Sequence, residues 1–259
     1  MQVKCKNIQI GYGDTIIVDD ISLTINKHEI TSIIGPNGSG KSTVLKATTR
    51  LLKYQKGEIS IGNRNLTEFK PKELACILGV LSQKHSAPAD FRVKELVSYG
   101  RMPHQKAMRG LTSEDKKIID EVMKKTNTYH LRDKSIFECS GGEAQRVWIA
   151  MVLAQNPEIL FLDEPTTYLD VSHQLEVMRL VKKLNRETGV GIVMVLHDLG
   201  QAMEVSDKII VIKDGCKYAE GTPDEVITPK MLKEVYNVDA DVVRLNGRTK
   251  PIIVYRELA

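Results

Sequence analysis

The sequence predicts an α/β fold with a parallel core sheet, and three observations carry that prediction. Short apolar runs alternate with helical patterns, which argues for strands covered by helices. A glycine-rich loop joins one apolar strand directly to a helix. A stretch of helical spacing, from about 87 to 157, interrupts the alternation as an inserted helical subdomain.

Taken in order, VKCKNIQIGYG (3–13) and TIIVDDISLTIN (15–26) alternate apolar and polar residues and are broken by Gly and Asp, so they predict short strands. Ile30–Ile34 is a compact apolar strand running into the glycine loop, with a helix over 42–51 after it. RVKELVSYG, SEDKKIIDEVMKKTN and EAQRVWIAMVLAQ have helical apolar spacing. After Pro157, EILFLDEP predicts a buried strand, VSHQLEVMRLVKKLN a helix and GIVMVL a second buried strand. KIIVIKDGCKYAEG carries the Asp-Gly hairpin signal at Asp214 and Gly215. Beyond about residue 229 the pattern predicts one helix and a small β-appendage.

The 259 residues are 42% hydrophobic and 27% charged, the mix of a soluble globular protein. With 37 basic against 33 acidic residues the net charge is +4, and the basic residues are dispersed, so no nucleic-acid footprint is expected. No apolar run approaches the ~18–20 residues of a membrane span. MQVKCKNIQI has no apolar signal-peptide core. Cys5, Cys76, Cys139 and Cys216 are widely spaced, which disfavours a disulfide framework or zinc site and fits a reducing cytosol.

Residues 35–43, GPNGSGKST, match G-x-x-x-x-G-K-[ST] between a strand and a helix, where a phosphate cradle belongs. Gly35, Gly38 and Gly40, with Pro36, Asn37 and Ser39 between them, let backbone N–H groups turn inward, and the helix N-terminus adds its dipole. Lys41 would reach the β- and γ-phosphates; the Ser42 hydroxyl, followed by Thr43, would ligate Mg²⁺. Asp163 and Glu164 end a buried strand, where α/β proteins place ligand groups. There Asp163 would anchor Mg²⁺ through water, and Glu164 would orient and deprotonate an attacking water. His197 ends the next buried strand and fits a γ-phosphate contact. Gln83, after LGVLSQ, would bring an amide near the metal and the water. Ser140, Gly141, Gly142 and Glu143 form a capping box opening an amphipathic helix. Its paired glycines permit close approach, which suits a second anion site for a nucleotide held by another chain.

GPNGSGKST, LSQ (81–83), SGGE (140–143), ILFLDEP (159–165), LD (169–170) and LHD (196–198) occur in the order found in ABC-transporter ATPase subunits, which the whole chain resembles. GRMPH (100–104), VWIAMVLAQNP (147–157), LDVSHQLEVMRLV (169–181) and the tail EGTPDEVITPKMLKEVYNVDA resemble more narrowly the importers of iron–siderophore, haem and cobalamin. The resemblance implies a single P-loop ABC ATPase domain: a catalytic α/β body (1–86 and 158–228) with an antiparallel β-subdomain, a helical subdomain (87–157) and a C-terminal appendage (229–259). It implies ATP and Mg²⁺ as cofactors and membrane permease subunits as partners, with an extracytoplasmic substrate-binding protein acting indirectly. A second copy would complete an ATP-sandwich dimer, peripheral on the cytoplasmic face of the membrane.

By the same resemblance, Tyr12 stacks on adenine and Gln83 is the lever between the Mg²⁺ site and the permease. Ser140 and Gly142 grip the γ-phosphate of the opposite subunit's ATP, Asp170 belongs to a loop crossing the dimer interface, and His197 contacts the γ-phosphate. Residues 86–110 would receive a cytoplasmic helix of the permease. Cys139 stands where the family most often has Leu, which predicts reduced packing there. Other readings remain open: an importer or exporter ATPase for another substrate, or a non-transport ABC ATPase. The latter generally carry long coiled-coil insertions or two cassettes, and this chain shows neither. A P-loop small-molecule kinase would have no use for the SGGE helix.

Overall fold

Apolar residues at every second position let a strand bury one face. The computed structural model describes residues 1–13, 15–88, 91–106 and 110–258. In it β1 (Gln2–Tyr12) and β2 (Thr15–Asn26) pair antiparallel, from Gln2 opposite Asn26 to Tyr12 opposite Thr15. Both strands are long, where Gly and Asp interruptions predicted short ones. Asn7 and Asp20 take positive φ (48° and 51°), and Asn7 Nδ2 donates to Asp20 Oδ1 at 2.6 Å. The irregularities are thus absorbed as bulges and do not end the strands.

β3 (Ile30–Ile34) is wholly buried and feeds the glycine loop and α1 (Lys41–Thr48). The helix stops before residue 51 because Arg50 turns to φ 61° and Leu51 N–H donates back to Lys46 O. β4 (Lys56–Ile61) and β5 (Arg64–Asn65) complete an antiparallel sheet in the order β2-β1-β4-β5.

The chain divides into two compact units, Met1–Glu68 with Val193–Ala259, and Phe69–Ile192. The second begins with α2 (Pro71–Ile77), β6 (Leu78–Leu81) and α3 (Val93–Ser98), which tightens into a 3-10 stretch over Tyr99–His104. α4 (Ser113–Lys125), α5 (Gly141–Leu153), β7 (Ile159–Asp163) and α6 (Val171–Thr188) follow. β6 and β7 run parallel, with Leu81 opposite Leu162. Arg101 and Asp115, each 6% exposed, pin the helical part together. Arg101 Nε donates to Asp115 Oδ1 at 2.8 Å, and its Nη1 donates to Ala154 O at 2.7 Å. The Thr112 hydroxyl and the Arg101 guanidinium hold the Asp115 carboxyl down at about 2.

β8 (Gly191–Val195) consists of five buried residues. In the first unit α7 (Leu199–Val205), β9 (Lys208–Lys213) and β10 (Cys216–Gly221) follow it. β9 pairs parallel with β3 and antiparallel with β10. The β9–β10 turn is the Asp214-Gly215 dipeptide, both residues at positive φ (47° and 75°), as its sequence predicts. α8 (Pro223–Val226) and α9 (Pro229–Tyr236) then lead to the antiparallel pair β11 (Val238–Val243) and β12 (Ile252–Leu258). Among the described residues no helix is long and apolar enough to cross a membrane.

Candidate functional site

In the first unit the glycine loop is built against β9. Gly35 has φ 152°, and a Cβ there would stand 2.0 Å from Ile212 O and 2.7 Å from Ser39 Oγ, so no other residue lets the loop turn. Gly40 caps α1 at φ 99° without a side chain to occupy the first-turn N–H groups, and no acidic residue lies in that turn. This helix start is open to an anion. Lys41, 5% exposed, donates from Nζ to Gly35 O at 2.9 Å and to Pro36 O at 2.8 Å, which holds the ammonium across the loop. Ser39 Oγ is buried with no hydrogen-bond partner among the described residues. A buried hydroxyl left unpaired costs about 1–3 kcal/mol. First-turn N–H groups with no side-chain cap, the unpaired Ser39 hydroxyl and an ammonium form a donor set that fits phosphate oxygens.

Asn37 and Gly38 are exposed at the loop tip, and Ser42 and Thr43 are half-buried in the first turn of α1. Tyr12 is exposed at the end of β1. Leu196 N–H donates to Ile33 O, so His197 leaves its strand at the end where β3 passes into Gly35. His197 is itself exposed. Asp198 caps α7, accepting from Gln201 N–H at 2.9 Å. Tyr236, at the end of α9, hydrogen-bonds with the Gly35 backbone; burial nonetheless pushes its phenol up.

In the second unit the β6–β7 register decides which side chains meet. Leu81 lies opposite Leu162, so Gln83 and Glu164, each two residues further on, leave at the same strand end. Gln83 Nε2 donates to Glu164 Oε2 at 2.5 Å, and Thr167 Oγ1 donates to the same oxygen at 3.0 Å. Asp163 is buried at the last position of β7. Glu164 has φ 53°, a left-handed conformation that costs a non-glycine residue of order 1 kcal/mol and gathers at functional sites. Thr167 is a partner that sequence reasoning missed.

The SGGE capping box forms as predicted: Ser140 N–H donates to Glu143 Oε2 at 2.8 Å, and Glu143 N–H to Ser140 Oγ at 3.3 Å. Gly141 is exposed, while Gly142 is buried. Asp170 caps α6; Ser172 Oγ donates to its Oδ1 at 2.8 Å and His173 N–H at 2.9 Å. These bonds, with one to the His173 imidazole, hold its carboxyl at about 2. His173 ties this loop to Gly142 and was also missed; the Asp-x-x-His spacing at a helix start was its one signal. Cys139, in the position usually Leu, is half-buried, and desolvation raises its thiol.

A groove of about 650 Å³ opens in the same unit between Phe91, Glu95, Tyr99, Met102 and their neighbours. Phe91 and Tyr99 stack with centroids 5.4 Å apart, and Met102 is exposed. This groove falls within the 86–110 segment; residues 89–90 and 107–109 of that segment lie outside the described residues.

Comparison with known proteins agrees with this geometry. A family model described as ABC transporter matches residues 18–167. The iron(3+)-hydroxamate import ATP-binding protein FhuC of Bacillus subtilis is 43% identical over 98% of this chain and 94% of its own length. The ferric enterobactin transport ATP-binding protein FepC of Escherichia coli is 36% identical over 98% of this chain and 93% of its own. The bacterial ABC transporter cassette MJ0796, solved as a dimer, superposes with a TM-score of 0.74 at 33% identity, covering 85% of this chain and 98% of that one. The same cassette has been solved in a post-hydrolysis state with ADP and Pi. A phosphate-fitting loop, a glutamate held by a glutamine at parallel strand ends, and full-length similarity to such cassettes lead to one conclusion: the chain belongs to the ABC transporter family as an ATP-binding, ATP-hydrolysing subunit.

Proposed function

We propose that this ATPase powers import of a ferric siderophore complex through a membrane permease. The similarity to FhuC and FepC along nearly the whole chain supports an iron-complex cargo. Those names favour a siderophore, whereas haem and cobalamin gain no support from them. Function is divided as the sequence suggests: a catalytic body (1–86 and 158–228), a helical part (87–157) that meets other chains, and an appendage (229–259).

The observation that carries the catalytic reading is the Gln83–Glu164 hydrogen bond. Tyr12 stacks on adenine, while the 35–43 loop and Lys41 receive the phosphates. Lys41 exchanges its two loop carbonyls for phosphate oxygens, a stronger charge-assisted contact. Ser42, Gln83 and, through water, Asp163 would hold Mg²⁺, which when bound offsets charge on the β- and γ-phosphates. Glu164 accepts the proton of the attacking water; the new bond forms at the γ-phosphorus as the bond to the ADP oxygen breaks. Gln83 and Thr167 fix the carboxylate that does this. His197 contacts the γ-phosphate. Ser140, Gly141 and Gly142 of a second copy complete the site, with the Asp170 loop beside them, so ATP favours the closed dimer.

The Phe91–Tyr99–Met102 groove receives a cytoplasmic helix of the permease, placing the protein peripherally on the cytoplasmic face of the membrane. A substrate-binding protein outside delivers cargo, and nucleic acid has no part. The test is uptake of radio-iron as a ferric hydroxamate by cells whose only copy carries Glu164→Gln. Loss of uptake is expected; uptake unchanged for ferric siderophores overturns the importer reading.

A further inference from the structure

His173 makes more contacts than a helix cap requires. Asp170 already caps α6 through the His173 backbone N–H at 2.9 Å. Yet the imidazole Nδ1 also lies 2.9 Å from Asp170 Oδ2. A carboxylate at this site only accepts, so Nδ1 carries the proton in that bond. The carbon edge of the same ring lies on Gly142. A Cβ built there would stand 2.1 Å from His173 Cδ2 and 2.5 Å from its Cγ. The absence of a side chain at position 142 is therefore imposed from behind, by the imidazole, whatever approaches from in front.

The loop before α6 is held at two further points. Gln174 Nε2 donates to Leu169 O at 2.9 Å, and the Leu169 side chain comes within 3.5 Å of where a Cβ of Gly141 would be. Tyr168, immediately before Leu169, is 95% exposed with φ 66°. Without such anchors a loop so exposed would sample many conformations, and ordering it on association would weaken binding.

We infer that His173 is a positioning residue that locks the Asp170 loop to the Ser140–Gly142 helix start, so that a second copy meets both as one preformed surface. This rests on the ATP-sandwich reading above. Removing the imidazole leaves the nucleotide loop, Lys41 and Glu164 intact, and also the backbone cap of α6. It removes the imidazole's link between the two segments that face the partner and leaves the Leu169 contact at Gly141.

The experiment uses the full chain with Glu164→Gln, which stops turnover, and measures ATP-driven dimerisation by analytical ultracentrifugation with MgATP. Adding His173→Ala is expected to raise the dimer dissociation constant about tenfold or more, the size of coupling between directly contacting residues. Monomer affinity for ATP should stay within about twofold, which separates the effect from loss of the cradle. His173→Asn keeps a side-chain amide able to donate to Asp170 Oδ2 but not the ring edge on Gly142, and should recover only part of the loss. A His173→Ala protein that dimerises like its parent overturns the inference. So does a parallel fall in monomer ATP binding and thermal stability, which marks a merely structural role. An Asn variant as impaired as Ala overturns the Asp170 bond as the link. If the Glu164→Gln parent itself does not pair, the sandwich reading fails, and this inference with it.

Discussion

Lys41 and Glu164 show how single side chains are set by their backbones. Lys41 opens α1, and its ammonium reaches back to the Gly35 and Pro36 carbonyls. Lys41→Ala removes a charge-assisted partner of the phosphates, worth about 1.5–3 kcal/mol, so ATP affinity should fall by about 10- to 100-fold. Titration with a fluorescent ATP analogue checks this, and unchanged affinity would remove Lys41 from the cradle. Glu164 is held in a left-handed turn, with Gln83 and Thr167 sharing one carboxylate oxygen. Glu164→Gln keeps the shape and removes the base. Phosphate release should drop about 10²-fold or more with ATP binding retained. Near-normal hydrolysis would show that another group takes the proton.

The helices and strands impose a second level of constraint. α4, α5 and the 3-10 turn before them are joined by the buried Arg101–Asp115 pair. Asp115 titrates at about 2 in the folded chain, against about 4 for an unfolded aspartate. Its folded pKa is the lower one, so the stability it contributes is present above pH 4 and is lost as pH falls from about 4 to 2. Asp115→Asn leaves the Arg101 charge buried without its counter-ion and should cost about 3–5 kcal/mol at neutral pH. It should also flatten the pH dependence of stability below pH 4. Urea unfolding at pH 7 and pH 3 measures both; an unchanged midpoint at pH 7 would show the pair to be energetically idle. Capping follows the same logic, since Thr112, Ser140, Asp170 and Asp198 each accept a first-turn N–H with the side-chain oxygen that sequence places there.

For the protein as a transport ATPase, function depends on contacts with other chains. Ser140 begins α5 with its backbone N–H already satisfied by Glu143, and Gly141 beside it is exposed. Ser140→Arg sets a bulky cation at this helix start. It should block ATP-driven dimerisation in the Glu164→Gln chain while leaving monomer ATP binding within about twofold. Sedimentation with and without MgATP decides the matter. Dimerisation at the parent level would place the partner's nucleotide elsewhere, and loss of monomer binding would mean misfolding.

Much of this protein is legible in its residues taken one after another. The GPNGSGKST loop, the LFLDEP strand, the SGGE capping box and the Asp214-Gly215 hairpin are local, because a loop, a strand end, a helix start and a tight turn are each set by a few consecutive side chains. What local order could not decide is what lies across from what. The parallel register of β6 on β7 brings Gln83 to Glu164 over 81 positions of chain. Bulges in the β1–β2 pairing, one of them bridged by the Asn7–Asp20 bond, let both strands run on past their expected Gly and Asp breaks. His173 became significant only once α6 packed its ring onto Gly142. Such contacts depend on burial and register between segments distant in sequence, and those are properties of the packed chain alone.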